Sequence, residues 1–311
     1  MIAVLFPGQG SQAMGMGCDL YDASEAAQAT FDEASEVLGY DLTGVCRIGP
    51  LEELARTEVT QPALLAHSVA ALRLLQEGGF VFDAALGHSL GEYTALVATG
   101  ALAYRDAVAL VKVRGEAMAA AAASNPGGMV AVLGLDADTV ITLCAGLEAA
   151  WPANFNCPGQ VVVSCAGASL AAFEEAARAA GARRVVRLPV SGAFHSPLVA
   201  PAADALRGPL AATPWATPRP AFFSTCSAGF EDDGMAALLE RQLVSPVRFE
   251  ESIRRLAAEG YNAYLEVGPG AVLSGLVKRI DRDAVTAAAG DLGSLAAALD
   301  SGWTTTLKGD R

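Results

Sequence analysis

The chain opens on an unbroken apolar run, Ile2-Ala3-Val4-Leu5-Phe6, closed by Pro7-Gly8. A short run without alternation predicts a strand buried on both faces, as in a parallel sheet. From there the pattern switches between helical spacing and further short apolar runs. Apolar positions three and four apart predict helices over 24–38, 60–76 and 103–123. In the second, Leu64, Leu65, Val69, Leu72 and Leu75 turn inward, and His67 shares that face as a packed core histidine. Residues 82–86 predict a strand that runs through a sharp turn into a helix. Between 129 and 189 the character changes: strands at 129–133, 151–155, 160–165 and 183–189 and helices at 136–146 and 169–180 follow the β-α-β-β-α-β order of a ferredoxin-like unit. Strands at 220–224, 263–267 and 284–288 then alternate with helices at 235–243, 247–259, 271–280 and 292–299. The predicted fold class is α/β. A large, discontinuous α/β-hydrolase-like domain with a mostly parallel sheet covers 1–126 and 193–302, and a small ferredoxin-like α+β domain, 127–192, is inserted into it. The polar tail at 303–311 is expected to fray.

Composition narrows the class. The 311 residues suffice for one large core and an insertion, and 52% hydrophobic against 18% charged residues excludes a disordered chain. No apolar run reaches bilayer length and the start has no basic segment, so a cytoplasmic protein is expected. Six cysteines, at 18, 46, 144, 157, 165 and 226, show no metal spacing and predict free thiols. A net charge of −13 argues against nucleic acid and anionic membranes as partners. An acidic partner would need a local basic patch. Arg183, Arg184 and Arg187 form the densest one, with Lys278-Arg279 second; the same arginines read equally well as charges blunting a strand edge.

The candidate chemistry centres on Gly87-His88-Ser89-Leu90-Gly91, a G-x-S-x-G nucleophile elbow between a strand and a helix. The turn strains the serine backbone and lifts its hydroxyl above the sheet edge. A side chain at 87 or 91 would collide with the neighbouring strand or helix. The Leu90 N–H is left free at a helix N-terminus, where it can bind an oxyanion. The loop at Gly8–Ala13 loosely fits a dinucleotide fingerprint, but a helix stands where the acidic strand end is required, and that reading is rejected. Gln9 is then either a second oxyanion donor or part of a plain turn. Arg114 falls on the apolar face with Ala107, Val111 and Met118, where an unpaired charge is costly. It reads either as half of a structural ion pair or as the receiver of a substrate carboxylate. The turn at 154–160 carries the amides Asn154 and Asn156. His195, in a glycine-flanked loop after Ser89, is the best general base; the side chain of His88 should point away from the serine.

Taken together, the residues resemble the malonyl-CoA:acyl carrier protein transacylase family over nearly the whole chain. The motifs that carry the resemblance are Phe6-Pro7-Gly8-Gln9-Gly10-Ser11-Gln12, Thr60-Gln61-Pro62-Ala63, Gly87-His88-Ser89-Leu90-Gly91-Glu92-Tyr93, Arg114-Gly115, Asn156-Cys157-Pro158-Gly159-Gln160, Gly192-Ala193-Phe194-His195-Ser196 and Glu266-Val267-Gly268-Pro269-Gly270. The resemblance implies that Ser89 is acylated, that His195 is its base, and that the Gln9 and Leu90 N–H groups form the oxyanion hole. It makes Arg114 the clamp for the malonyl carboxylate and puts Phe194 and Asn156 at the substrate. It has the histidine oriented by a backbone carbonyl, at Gln242 here. Phe194 looks like the malonyl-selecting form, and Cys157 stands where most relatives have Ser. The implied reaction carries malonyl from malonyl-CoA to an acidic acyl carrier protein for fatty acid synthesis, by a monomer with no metal or cofactor. A free-standing acyltransferase loading a polyketide synthase and a serine hydrolase of acyl thioesters are the alternatives.

Overall fold

In the computed structural model, which describes residues 1–301 and 303, β1 (Ile2–Phe6) is buried at every position. Its residues split by parity: Ile2, Val4 and Phe6 join one core, and Ala3 and Leu5 the other. That is the two-sided burial its unbroken apolar run requires. β1 pairs in parallel with β2 (Ala84–Gly87) on one side and with β9 (Ala263–Val267) on the other. The six-stranded sheet runs β10-β9-β1-β2-β7-β8, with β10 at Val285–Ala289 and β7 at Ala221–Ser224. Only β8 (Gly229–Phe230), a two-residue strand, is antiparallel to its neighbour.

The second sheet is antiparallel and runs β4-β5-β3-β6. It is built from β3 (Gly127–Leu133), β4 (Ala150–Cys157), β5 (Gln160–Ala166) and β6 (Arg184–Arg187). Alternation again decides its faces. Val130, Val132, Val161 and Val163 pack with Val140 and Phe173 of the two covering helices, Ala137–Ala145 and Leu170–Ala179. Met129, Ala131 and Val162 point the other way and join the core of the parallel sheet. That face roofs the end of β2, where the elbow lies.

Several elements depart from the expected pattern. Asn154 and Asn156 sit on the bulged strand β4, not in a turn; the turn is confined to Pro158-Gly159. Helices Cys18–Ala23, Leu42–Ile48 and Ala200–Ala212 were not anticipated. The tail at 304–311 lies outside the described residues. Trp303, expected to fray, is buried against the main core instead. All six cysteines are buried free thiols. No helix among the described residues is long and apolar enough to cross a membrane.

Candidate active site

β2 delivers its last residue, Gly87, straight into the elbow, and the helix Gly91–Ala98 starts two residues after Ser89. Ser89 takes a φ of 53°, a left-handed backbone that a non-glycine residue adopts only when its surroundings force it. The surroundings do so. A Cβ on Gly87 would lie 1.8 Å from the Gly91 carbonyl carbon, and one on Gly91 would lie 2.1 Å from the Phe6 oxygen. Strand, turn and helix are therefore in backbone contact, and the serine is the residue left to absorb the bend.

The Ser89 Oγ lies 2.8 Å from His195 Nε2. His195 also has a positive φ, 56°, and arrives from the loop after β6, 106 residues on in sequence. Its Nδ1 faces two carbonyls, Gln242 O at 3.1 Å and Ser245 O at 3.0 Å. Carbonyls only accept, so Nδ1 carries the proton and Nε2 presents a lone pair to the serine hydroxyl. Burial, with the Arg114 and His88 charges behind it, pushes the imidazole down to about 3. The ring is thus neutral near pH 7, ready to take a proton. The Gln242 carbonyl was expected from the motifs; that of Ser245 was not.

Arg114 is 1% exposed on the helix Tyr104–Ser124. Its Nη2 donates to Ser89 Oγ at 3.0 Å and to Gln242 Oε1 at 3.3 Å, and its Nη1 to Gln61 Oε1 at 2.6 Å. Its Nε has no partner among the described residues, and its Cζ lies 5.6 Å from the Tyr93 ring centroid. No carboxylate pairs with it among the described residues, so the structural ion pair is absent. A buried guanidinium with spare donors, hydrogen-bonded to the nucleophile, remains.

Gln9 and Leu90 flank the hydroxyl, and neither N–H is taken by another protein group among the described residues. The Gln9 side chain is tied back to Thr57 Oγ1 at 3.2 Å. Its loop lies in close backbone approach to the elbow. A Cβ on Gly8 would lie 2.4 Å from the His88 oxygen, so only glycine permits that approach. A cavity of about 70 Å³ sits over Ser89, lined by Gln9, Arg114, Met118, Met129, Phe194 and His195. It adjoins a larger one, about 290 Å³, bordered by Gly8, Asn156, Gln160 and Val272. Phe194 thus lies at the hydroxyl. Asn156 belongs to the outer cavity, where its Oδ1 meets His88 Nε2 at 3.0 Å. Asn154, not Asn156, borders both cavities, and its Oδ1 is buried without a partner among the described residues.

The basic patch does not hold together as one cluster. Arg187 projects from the helix-covered face of its sheet and pairs with Glu174, which Arg178 also holds. Arg183 and Arg184 are exposed at the sheet edge. Lys278 donates to the Ala284 carbonyl, and Arg279 donates to Gln160 Oε1 at 2.7 Å beside the outer cavity. His67 is buried, with Nε2 2.7 Å from Gly290 O.

The arrangement can carry out nucleophilic acyl transfer on a small acyl group that ends in an anion. Among the described residues no group of three or more His, Cys, Asp or Glu could hold a metal. Comparison with known proteins agrees with that chemistry. The acyl transferase domain family matches residues 4–295. A malonyl CoA-acyl carrier protein transacylase from Bacillus subtilis (strain 168) is 45% identical over 296 residues, 93% of each chain. One from Escherichia coli (strain K12) is 42% identical over 304 residues, 96% of this chain and 98% of its own. Among solved structures, a malonyl-transacylase in complex with a type II polyketide acyl carrier protein superposes with a TM-score of 0.94 at 40% identity, covering 96% of this chain and 99% of its own.

Proposed function

The chain belongs to the malonyl CoA-acyl carrier protein transacylases, and on that premise we propose that it carries malonyl from malonyl-CoA to the phosphopantetheine thiol of an acyl carrier protein through a malonyl-Ser89 ester. The observation that carries this reading is the placement of one hydroxyl between a neutral imidazole and a buried, unpaired guanidinium.

In the first half-reaction the Ser89 proton passes to His195 Nε2 as Oγ attacks the thioester carbon. The carbonyl electron pair moves onto oxygen, where the N–H groups of Gln9 and Leu90 receive it. Collapse breaks the C–S bond, and the CoA sulfur leaves with the proton from His195. In the second half-reaction the carrier thiol gives its proton to His195 and attacks the ester carbon. The same oxyanion site is used, and Ser89 leaves as the hydroxyl. Throughout, the malonyl carboxylate, two carbons beyond the reacting carbonyl, rests on Arg114. Phe194 limits the acyl group, and Asn156 with Asn154 borders the path of the pantetheine arm. The Gln242 carbonyl keeps His195 in the tautomer the cycle needs. A plain hydrolase of lipid esters would gain nothing from a buried cation at its nucleophile. In the same reading, residues 127–192 are a unit inserted to roof the site.

Intact mass after mixing with malonyl-CoA tests the proposal. A malonyl adduct is expected on the wild type and none on Ser89→Ala; labelled Ser89→Ala protein ends the assignment. The pathway follows from the carrier. We assign fatty acid synthesis. Loading of a polyketide synthase is the second reading, favoured by the likeness to the enzyme solved with a type II polyketide carrier. Comparing kcat/KM on the two kinds of carrier separates them.

A further inference from the structure

Glu92 is fully buried in the first turn of the helix that follows the nucleophile, and the acyl transfer described above does not use it. A carboxylate without a partner in such a place is expensive. Its partners are all neutral. Its Oε1 accepts from the Thr225 N–H at 2.6 Å, Ser224 Oγ at 3.0 Å and the Cys226 N–H at 3.3 Å, and it lies 2.7 Å from Thr225 Oγ1, whose one hydrogen is shared with the Gly87 carbonyl at 3.0 Å. Its Oε2 accepts from Gln242 Nε2 at 2.7 Å. Burial pushes the carboxyl above its usual range, and these donors oppose that. Amide N–H groups address both oxygens, which favours the ionised form.

The Gln242 amide has one possible orientation. Its nitrogen faces Glu92 Oε2 and, at 3.0 Å, the Ser89 carbonyl, which can only accept. Its oxygen faces Arg114 Nη2, which can only donate. Gln242 is thus a spacer with a donating and an accepting end, with Glu92 behind it and Arg114 in front. A carboxylate in direct contact with Arg114 would balance the guanidinium but occupy the edge a substrate anion needs. At one amide's remove, Glu92 balances the charge through a poorly screening interior and leaves the edge open.

We propose that Glu92 is a positioning residue for acyl selection: through the Gln242 amide it aims Arg114 at the acyl carboxylate and compensates its charge. The proposal rests on the reading of Arg114 given above. Its test is kcat and KM for malonyl-CoA and acetyl-CoA on the wild type, Glu92→Gln and Glu92→Asp. Glu92→Gln removes the charge and puts an amide donor against either the Gln242 amide or the Thr225 N–H. It should lower the malonyl-to-acetyl ratio of kcat/KM by about 10- to 100-fold. The loss should fall mainly on KM for malonyl-CoA, with acetyl transfer nearly unchanged. Glu92→Asp, which keeps the charge, should retain more of the ratio than Glu92→Gln. Equal losses on both substrates with a lowered Tm would mean a merely structural residue and overturn the proposal. If Glu92→Gln does not fold, Gln242→Met cuts the same link and keeps the backbone carbonyl on His195; an unchanged ratio there overturns the proposal too. A wild type without malonyl preference overturns the underlying reading and this one with it, whereas a wild-type preference that survives Glu92→Gln overturns this one alone.

Discussion

Arg114 is the largest side chain fully buried among the described residues, and it has no anion beside it. Helical periodicity put it on the apolar face but could not say what met it there, because ion pair and substrate clamp predict the same spacing. Three amide and hydroxyl oxygens decide the matter: Gln61, Gln242 and Ser89 accept from it, and none carries a full charge. A charge-assisted hydrogen bond is worth about 1.5–3 kcal/mol, and two in a desolvated pocket exceed that. Arg114→Ala should therefore cut kcat/KM for malonyl-CoA by roughly 10- to 1,000-fold and acetyl-CoA far less. Steady-state rates on both thioesters, with a thermal melt alongside, check this; an unchanged malonyl-to-acetyl ratio sinks the clamp. Ser89 was legible, but the parts played by the Gln61, Gln242 and Glu92 side chains were not. Gln61 and Glu92 stand inside quoted motifs, each a polar residue in an apolar stretch, yet their partners lie on segments that only tertiary folding brings together.

At the scale of elements, the elbow is where local sequence and final structure agree most closely. Gly87 and Gly91 are glycines because strand, turn and helix touch through their backbones there. Gly91→Ala would drive a Cβ into the Phe6 carbonyl, which is rigid β1 backbone and cannot swing aside. A loss of about 1–3 kcal/mol is expected from the overpacking, together with loss of the acyl-enzyme. Gly275→Ala is the control. It lies in the helix Val272–Ile280 with nothing within 4 Å of the added Cβ, and it should gain about 0.5–1 kcal/mol. Urea midpoints for the two variants check the contrast; a neutral Gly91→Ala would refute the close-approach argument. Long periodic helices and unbroken apolar strands were readable for the same reason as the elbow, since their signal is local. The helix Ala200–Ala212 was not: it is alanine-rich and carries Pro209, and its buried face is fixed by its neighbours. The Asn154–Cys157 segment read as turn because of its asparagines and Pro158, but pairing with β5 holds it as a strand.

At the scale of the whole molecule, the chain's own charge sets a condition on the carrier meeting proposed above. An enzyme of net charge −13 repels an acidic protein at long range and must offset that locally. With Arg187 paired to Glu174, the exposed remainder of the expected patch is Arg183 and Arg184. Reversing both to Glu should raise KM for the carrier and leave KM for malonyl-CoA nearly unchanged. Equal effects on the two substrates, or none, would leave these arginines as solvated edge charges. The roof over the nucleophile has a consequence of another kind. Asn156 meets His88, Phe155 N–H donates to Val247 O at 2.8 Å, Val247 N–H donates to Ala153 O at 2.8 Å, and Ser164 donates to the Phe194 carbonyl. These bonds sew the antiparallel sheet to the rest of the protein around the serine. Those bonds oppose movement of the sheet away from the serine, and the cavity of about 70 Å³ left over the hydroxyl has the scale of a keyhole. It suits an acyl group offered tip first at the end of a long, thin arm.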